Sequence, residues 1–212
     1  ASFAPRSAGL RAIVLEEGDV LVGTAITDGK QDVMLFSSEG KAMRFCEDAV
    51  RPMGRASRGV RGINLGSGHQ MISLLVANDE GSVLTVSENG YGKRTAVSEF
   101  PTKGRAGKGV IAMATSERNG NLVAALQVFS GNEIMLISNQ GTLVRTSSDE
   151  VSQQGRNTQG VRIIRTKPGE SLVQVERVVD SDADDESLSA SDEAAAPSSE
   201  AADSADSNEY TE

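Results

Sequence analysis

Apolar residues along the chain fall into short runs that end at glycine-containing turns. Three stretches align with one another: VMLFSSEGKAMRF at 33–45, SVLTVSENGYGKRT at 82–95 and EIMLISNQGTLVRT at 133–146. In each stretch an apolar run rich in β-branched residues leads through Glu-Gly, Asn-Gly or Gln-Gly into a second run. This is the pattern of a β-hairpin, because glycine accepts the positive φ of a tight turn. The sequence therefore predicts three hairpins.

Two sets of glycines show that the hairpins belong to a longer repeat. The turn glycines Gly40, Gly90 and Gly141 are 50 and 51 residues apart. A second set, Gly9, Gly59, Gly109 and Gly160, keeps the same step, and each member begins a Gly-Val-type strand; the last three follow the three hairpins. A further strand is predicted before each hairpin, at Val20–Ile26, Met71–Val76 and Leu122–Val128, and a fourth such strand at Leu172–Val178 begins the next unit. Each unit of about 50 residues thus offers about four short strands.

The apolar runs indicate how the units pack. Val33–Phe36 and Ile134–Ile137 are apolar on both faces instead of alternating, which is typical of strands in a sheet that is covered on both sides. Four-stranded sheets stacked face to face around an axis, as in a propeller, satisfy this pattern. A doubly wound α/β fold is disfavoured, because no 12-residue stretch shows helical periodicity with caps. The fold class predicted is all-β and propeller-like.

The repeat also divides the chain. Residues 10–160 form three full periods and residues 161–179 begin a fourth, so 1–179 is predicted to be a domain of about three and a half blades. Such a set would leave open sheet edges, which closed propellers avoid. We therefore expect the chain to be a fragment of a larger protein whose amino-terminal blades are missing.

The net charge of −9 averages two unlike segments. Residues 1–179 hold all 21 basic residues and 18 acidic ones, a net charge of +3, whereas residues 180–212 hold 12 acidic residues and no Lys or Arg. This second segment consists mostly of Ser, Ala and acidic residues, so burial cannot offset the entropy lost on ordering it. The sequence predicts a mildly basic body followed by a disordered acidic tail.

Composition also excludes several classes of protein. One Cys and one His cannot supply a disulfide framework or a zinc site, and no cofactor is predicted for this chain. No apolar run is long enough to span a bilayer and no signal peptide is evident, which predicts a cytoplasmic protein without a membrane partner. No set of residues has the composition and spacing of a catalytic site, so we predict no enzymatic activity for the chain itself.

Basic residues recur at equivalent places in each unit. They lie in the connection between successive units and near the end of each hairpin. In a radial arrangement, equivalent places form a ring or stripe, and a positive stripe suits the DNA backbone because Lys and Arg displace counterions from phosphates. The predicted DNA-binding residues are Arg44, Arg51, Arg55, Arg58, Arg61, Lys93, Arg94, Lys103, Arg105, Lys108, Arg145, Arg156, Arg162 and Arg165. Basic residues at strand ends are also ordinary solvated surface, and this alternative stays open.

Several stretches together resemble a known family. GDVLVGTAITDGKQDVMLFSSEGKAMRF, RASRGVRGINL, VSENGYGKRTAVSEFPTKGRAGKGVI and GRNTQGVRIIRT are similar to the carboxy-terminal domain of the A subunit of DNA gyrase, of proteobacterial type. The resemblance covers essentially all of 1–179, and NGYGKRT together with GRNTQGV is specific to it. It implies a β-pinwheel, normally of six blades, in which neighbouring blades exchange a strand.

The resemblance also implies a function and partners. Such domains wrap duplex DNA around a basic rim, and the parent enzyme then introduces negative supercoils by an ATP-dependent type II topoisomerase reaction. The implied partners are duplex DNA and, in an A2B2 complex, the B subunit together with the remainder of the A subunit. ATP and Mg²⁺ are used elsewhere in that complex. The isolated chain is expected to be a monomer.

Two differences from the family and two alternative functions remain. The family's basic, glutamine- and glycine-rich heptapeptide is absent, and residues 104–109 are only a degenerate counterpart of it. The catalytic tyrosine and the ATPase site also belong to parts of the enzyme that this sequence lacks. One alternative is the equivalent domain of topoisomerase IV, and another is a propeller that serves only as a platform for protein interactions.

Overall fold

The computed structural model describes residues 10–178, and these residues form β-strands and three short 3₁₀ turns without an α-helix. The strands are β1 Asp32–Ser37, β2 Lys41–Cys46, β3 Met71–Val76, β4 Ser82–Ser87, β5 Tyr91–Ala96, β6 Val110–Ile111, β7 Leu122–Val128, β8 Glu133–Ser138, β9 Leu143–Ser147, β10 Val161–Arg162 and β11 Leu172–Val178. The 3₁₀ turns are Glu47–Ala49, Val97–Glu99 and Ser148–Glu150. Among residues 10–178 there is no helix that is long and apolar enough to cross a membrane. The predicted tail at 180–212 lies outside the described residues.

Each sheet is built around one of the three predicted hairpins, but it draws strands from the following repeat. The sheet orders are β3-β1-β2-β6, β10-β5-β4-β7 and β11-β8-β9. The long strand that precedes the second hairpin, β3, therefore pairs with the first hairpin, and β7 and β11 are placed in the same way. All of these pairings are antiparallel. The all-β, propeller-like fold and its strand exchange are confirmed.

The prediction of a strand at Val20–Ile26 is wrong. Its counterparts β3, β7 and β11 each pair with the hairpin before them in sequence, and no hairpin precedes residue 20 among the residues described. Without such a partner the segment is irregular and open to solvent, as the 99% exposure of Ile26 shows. Its apolar sequence matches that of a strand, but the partner that would hydrogen-bond it is missing from this part of the chain.

A predicted Gly-Val strand forms only where the hairpin of the preceding unit is present to pair with it. Val110–Ile111 pairs with β2 and Val161–Arg162 pairs with β5, which gives two four-stranded sheets. The equivalent segment after the first hairpin is no strand and makes a single bridge at Ile63. The third sheet has three strands within 10–178. The predicted four strands per unit are thus found for two of the three sheets.

The core lies between neighbouring sheets. Met34 and Phe36 of β1 pack with Val83 of β4, and the ring of Phe36 meets that of Phe100 edge-on at 6.1 Å between centroids. Leu84 and Val86 point to the opposite face of β4 and pack with the buried side chains of β8. The middle sheet is therefore covered on both faces, whereas the apolar runs that predicted such cover, Val33–Phe36 and Ile134–Ile137, lie in β1 and β8 of the first and third sheets. Burial of apolar area of this kind is the main favourable term in folding.

The long strands form the inner edge of the assembly. Strand β7 contacts both β3 and β11, and the three strands line a shared cavity of about 330 Å³ through residues 72–75, 123–126 and 173–176. In the first two sheets the opposite edge carries β6 or β10 together with the segment that connects successive hairpins. The connecting segments are therefore placed at the outer edge.

Candidate nucleic-acid interface

Three connecting segments, residues 51–64, 101–114 and 152–166, contain ten of the predicted DNA-binding residues and no Asp or Glu. We call these ten residues the basic band. They are Arg51, Arg55, Arg58, Arg61, Lys103, Arg105, Lys108, Arg156, Arg162 and Arg165. A surface with this composition carries only positive side-chain charge, which attracts phosphate at long range.

The first and second connecting segments lie side by side. Ile63 and Gly107 form a parallel bridge, and the backbone N–H of Asn64 donates to the carbonyl of Gly107 at 2.8 Å. The Arg105 guanidinium donates to the carbonyls of Ala49 and Arg61, at 2.8 and 2.9 Å. One arginine of the basic band thus holds the two segments together.

The second and third connecting segments are joined in a similar way. The backbone N–H of Ala114 donates to the carbonyl of Thr158 at 3.0 Å, and the Arg156 guanidinium donates to the carbonyl of Ile111 at 3.2 Å. Because each segment contacts the next, basic residues that are up to 114 positions apart in sequence belong to one continuous surface. This arrangement supports the ring or stripe that the repeat predicts.

Most side chains of the basic band face solvent. Seven residues are exposed and Arg55, Arg105 and Arg156 are half-buried. Within residues 10–178 the only ion pair of the basic band joins Arg58 to Glu16 at 2.9 Å, with both side chains largely exposed. The positive charge is therefore not neutralised by the protein's own carboxylates in this region.

The hairpin residue Arg44 is placed differently. Its side chain is 11% exposed and pairs with Asp32 at 2.7 Å and with Asp79 at 2.8 Å. It also donates to the carbonyls of Val97 and Phe100, at the 3₁₀ turn of the next repeat. Arg44 lowers the pKa of Asp79, and these two carboxylates raise the pKa of Arg44 against the opposing effect of burial. Arg44 therefore fastens one unit to the next.

Arg94 repeats this arrangement in the second hairpin. Its side chain is 16% exposed and pairs with Asp149 at 2.6 Å, while its Nε donates to the carbonyl of Val151 at 2.9 Å. The backbone N–H of Gly131 and the Ser130 hydroxyl, together with Arg94, hold the pKa of Asp149 below its ordinary value. Arg145 of the third hairpin pairs with Glu133 and is half exposed.

Lys93 lies in the interior. It is 0% exposed, and its ammonium donates to the carbonyls of Gly155 and Arg156. Burial, reinforced by the charge of Arg156 and opposed by Glu99, lowers its pKa to about 8. An ammonium held in this way does not reach a phosphate at the surface. We therefore correct the sequence prediction for Lys93: its position is that of a structural residue.

Replacing Arg94 with glutamine is expected to reduce the free energy of unfolding by about 2 kcal/mol, because Asp149 loses its charged partner and the carbonyl of Val151 loses a donor. The matched variant Arg58→Gln removes a solvent-exposed pair and should cost about 0.5 kcal/mol. Urea denaturation of the three proteins measures both values. Equal losses of unfolding free energy in the two variants would show that the contacts of Arg94 do not stabilise the fold more than an exposed ion pair does.

The sequence analysis missed one basic residue that belongs to a well-defined cluster. Arg118 and Arg162 lie on the ring of Tyr91, with Cζ 5.0 and 5.2 Å from the ring centroid. Both guanidiniums donate to the phenol oxygen, at 3.3 and 2.8 Å. Arg118 lies outside the connecting segments and hairpin ends in which the predicted DNA-binding residues recur, so the repeat pattern did not single it out. No group of three or more His, Cys, Asp or Glu among the described residues could hold a metal ion.

Comparison with solved structures supports the fold and the repeat. The structure resembles a DNA gyrase A C-terminal domain with a TM-score of 0.74 and 30% identity, covering 81% of this chain and 59% of the other. It also resembles the C-terminal domain of DNA topoisomerase IV with a TM-score of 0.77 and 22% identity, covering 82% and 55% of the two chains. At this lower identity the second likeness shows the fold alone.

Comparison with sequences gives a closer match. The chain is 59% identical over 201 residues to the A subunit of DNA gyrase from Pseudomonas aeruginosa, which is 94% of this chain and 22% of that protein. It is 50% identical over 191 residues to the A subunit of DNA gyrase from Escherichia coli K12, covering 90% of this chain and 22% of that protein. The chain thus spans about a fifth of the length of these relatives.

A family model matches the repeat unit by unit. It is described as "DNA gyrase C-terminal domain, beta-propeller", and it matches residues 4–28, 31–78, 81–128 and 132–178. These segments follow the 50-residue period and contain the strand-exchanged sheets and all ten residues of the basic band. The chain therefore belongs to the DNA gyrase C-terminal domain, beta-propeller family.

Proposed function

We propose that this chain binds duplex DNA along the basic band and bends it around the outer edge of the sheets. The observation that carries the proposal is the continuity of the band: three connecting segments without a carboxylate contact one another and present exposed Arg and Lys side chains. Bending DNA costs several kcal/mol, and distributed phosphate contacts offset that cost. Backbone recognition of this kind has little dependence on base sequence.

The proposed role within a larger enzyme follows from the family. The A subunits of DNA gyrase match this chain over about a fifth of their length. We propose that the chain is the DNA-wrapping part of such a protein, which works with the gyrase B subunit in the cytoplasm. In that complex it presents DNA to a catalytic core that introduces negative supercoils with ATP. The chain itself contributes binding and bending, without chemistry of its own.

Ligation of nicked circular DNA tests wrapping. We expect the linking number of the sealed circles to shift progressively in the positive direction as the ratio of protein to DNA increases, because a wrapped segment of fixed handedness is locked in by ligation. Gel electrophoresis after removal of the protein measures the shift.

The comparison protein is a double variant, Arg51→Gln with Arg55→Gln. Arg51 is exposed and Arg55 is half-buried, and neither is in an ion pair with another described residue. More of this variant than of the wild-type protein should be needed for the same shift in linking number. An unchanged linking number at saturating protein would contradict chiral wrapping by this chain, whereas DNA binding would be judged separately by gel retardation.

A further inference from the structure

Two guanidiniums converge on the Tyr91 phenol beside the basic band. Tyr91 begins β5 and is 4% exposed, whereas Arg118 and Arg162 are exposed. Arg162 lies in β10 directly opposite Tyr91, and Arg118 comes from the loop before β7. Because both arginines donate to the same oxygen, their donating nitrogens lie close together.

The two positive charges are not compensated by the protein around them. Neither Arg118 nor Arg162 forms an ion pair with a carboxylate within residues 10–178. In this they differ from Arg44 and Arg94, each of which pairs with an aspartate. Like charges repel, so two unpaired guanidiniums held together at a surface favour the binding of an anion between them.

The donors that remain suit a phosphate. A guanidinium has five N–H donors in a planar fork, and Tyr91 occupies only one from each arginine. The two guanidinium bonds fill both lone pairs of the phenol oxygen, which leaves its O–H to donate to a third group. Charge-assisted, bidentate bonds of this kind are the usual way in which arginine recognises phosphate. The hydrogen bond from Arg118 and, to a smaller extent, that from Arg162 lower the pKa of Tyr91.

The loop that carries Arg118 is fixed in place. Asn89 donates through its amide to the carbonyls of Glu117 and Arg118, both at 3.3 Å. The fully buried Asn119 donates to the carbonyls of Ala114 and Gln159, at 2.9 and 3.3 Å. The loop is therefore tied to the hairpin turn on one side and to the third connecting segment on the other. A binding group held in this way loses little entropy on binding.

The cluster is not needed to build a blade. At the equivalent place in the first sheet Lys41 lies opposite Ile111 and pairs with Glu39, and in the third sheet the position of Tyr91 is taken by Thr142. The sheets form without it in both cases. A purely structural requirement of the fold therefore does not explain why two arginines meet at Tyr91.

We propose that Arg118, Tyr91 and Arg162 form a phosphate clamp that binds one phosphate of the DNA backbone at the edge of the basic band. The inference rests on the proposed function, because it names a further contact for the same DNA. Arg162 belongs to the band and Arg118 extends it toward the end of the sheet where the hairpin turn 88–90 lies.

The test is the affinity of the full chain for a duplex of defined length, measured by fluorescence anisotropy over a range of salt concentrations. Arg118→Gln should weaken binding by about five-fold at 0.1 M salt and reduce the slope of log affinity against log salt by about one. Tyr91→Phe keeps the charge but removes the oxygen that holds both arginines, so it should weaken binding by about two-fold with little change in slope. The matched control is Lys30→Gln, an exposed residue at the opposite end of the strands, which should leave both values unchanged.

The outcomes separate this inference from the proposed function. If wild-type protein shows no salt-dependent binding, the proposed function fails. If it binds, but Arg118→Gln behaves like Lys30→Gln while thermal unfolding shows both variants folded, the clamp is overturned. Titration with inorganic phosphate at constant ionic strength, followed by NMR of the arginine Nε–H groups, provides another arm. Shifts of Arg118 and Arg162 at millimolar phosphate with unchanged DNA affinity of the variants would make the cluster a site for small anions instead.

Discussion

Replacing Gly40 with alanine is expected to lower the free energy of unfolding by about 3 to 5 kcal/mol. Gly40 ends the turn of the first hairpin at φ +80°, where an L side chain is strained. A Cβ built there would lie 2.2 Å from the carbonyl oxygen of Met113 and 2.9 Å from Cγ2 of Thr115. The Gly40 carbonyl also accepts the backbone N–H groups of Ala112 and Met113, at 2.8 and 3.1 Å. The following repeat must therefore move away if alanine is to fit.

Gly141 provides the matched control. It occupies the equivalent turn at the same φ of +80°, but no described atom lies within 4 Å of the position that a Cβ would take there. Gly141→Ala should therefore cost only the strain of the left-handed conformation, about 1 to 2 kcal/mol. Urea denaturation of both variants measures the difference. Equal losses would show that the close approach of the next repeat at Gly40 has no energetic consequence.

The second large effect concerns pH and Lys93. Relative to Lys93→Met, the wild-type protein should gain up to about 3 kcal/mol of stability as the pH rises from below 8 to above 10.5. The pKa of Lys93 is lowered to about 8 in the folded protein from an ordinary value of 10.5, so the unfolded chain binds more protons between these values. Stability therefore increases with pH across this window, and the full cost of burying the charge is present below it.

Measuring the difference between the two proteins removes the contribution of other groups. Tyrosines also titrate in this range, but they are common to both proteins and their effect cancels. Urea denaturation at several pH values between 7 and 11 gives the two stability curves. Parallel curves would contradict the burial of a charged Lys93. A wild-type stability that falls relative to that of Lys93→Met as the pH rises would require a raised pKa of Lys93.

Much of the fold could be predicted from the sequence because its signals are local. Glycine at a positive φ marks the hairpin turns, and the predicted strands Met71–Val76, Leu122–Val128 and Leu172–Val178 coincide with β3, β7 and β11. Pairing between repeats is a different matter. A 50-residue period leaves open whether β3 joins the first or the second hairpin, and only the family resemblance indicated the exchange. The failure at Val20–Ile26 has the same origin, since an apolar strand sequence does not reveal whether its partner is present.

The candidate site could be predicted only in part, because a basic residue has the same sequence signal in either role. Arg44 and Arg94 recur in register like the residues of the basic band, yet their carboxylate partners Asp79 and Asp149 are 35 and 55 residues away. Pairing over such distances follows from the packing of one unit against the next. The burial of Lys93 depends on the third connecting segment, which lies over it. Three-dimensional packing thus decides which basic residues link neighbouring units and which are exposed to solvent.

Binding of the phosphate backbone by exposed residues of the basic band is tested most directly by the salt dependence of duplex affinity. A double variant with Lys103→Gln and Lys108→Gln removes two exposed charges of the band, while Lys30→Gln with Arg177→Gln removes two exposed charges outside it. We predict that the first variant binds about ten-fold more weakly at 0.1 M salt and loses about two units of slope, whereas the second matches the wild type. Equal losses for the two variants would contradict a role of the basic band, because binding would then follow net charge alone.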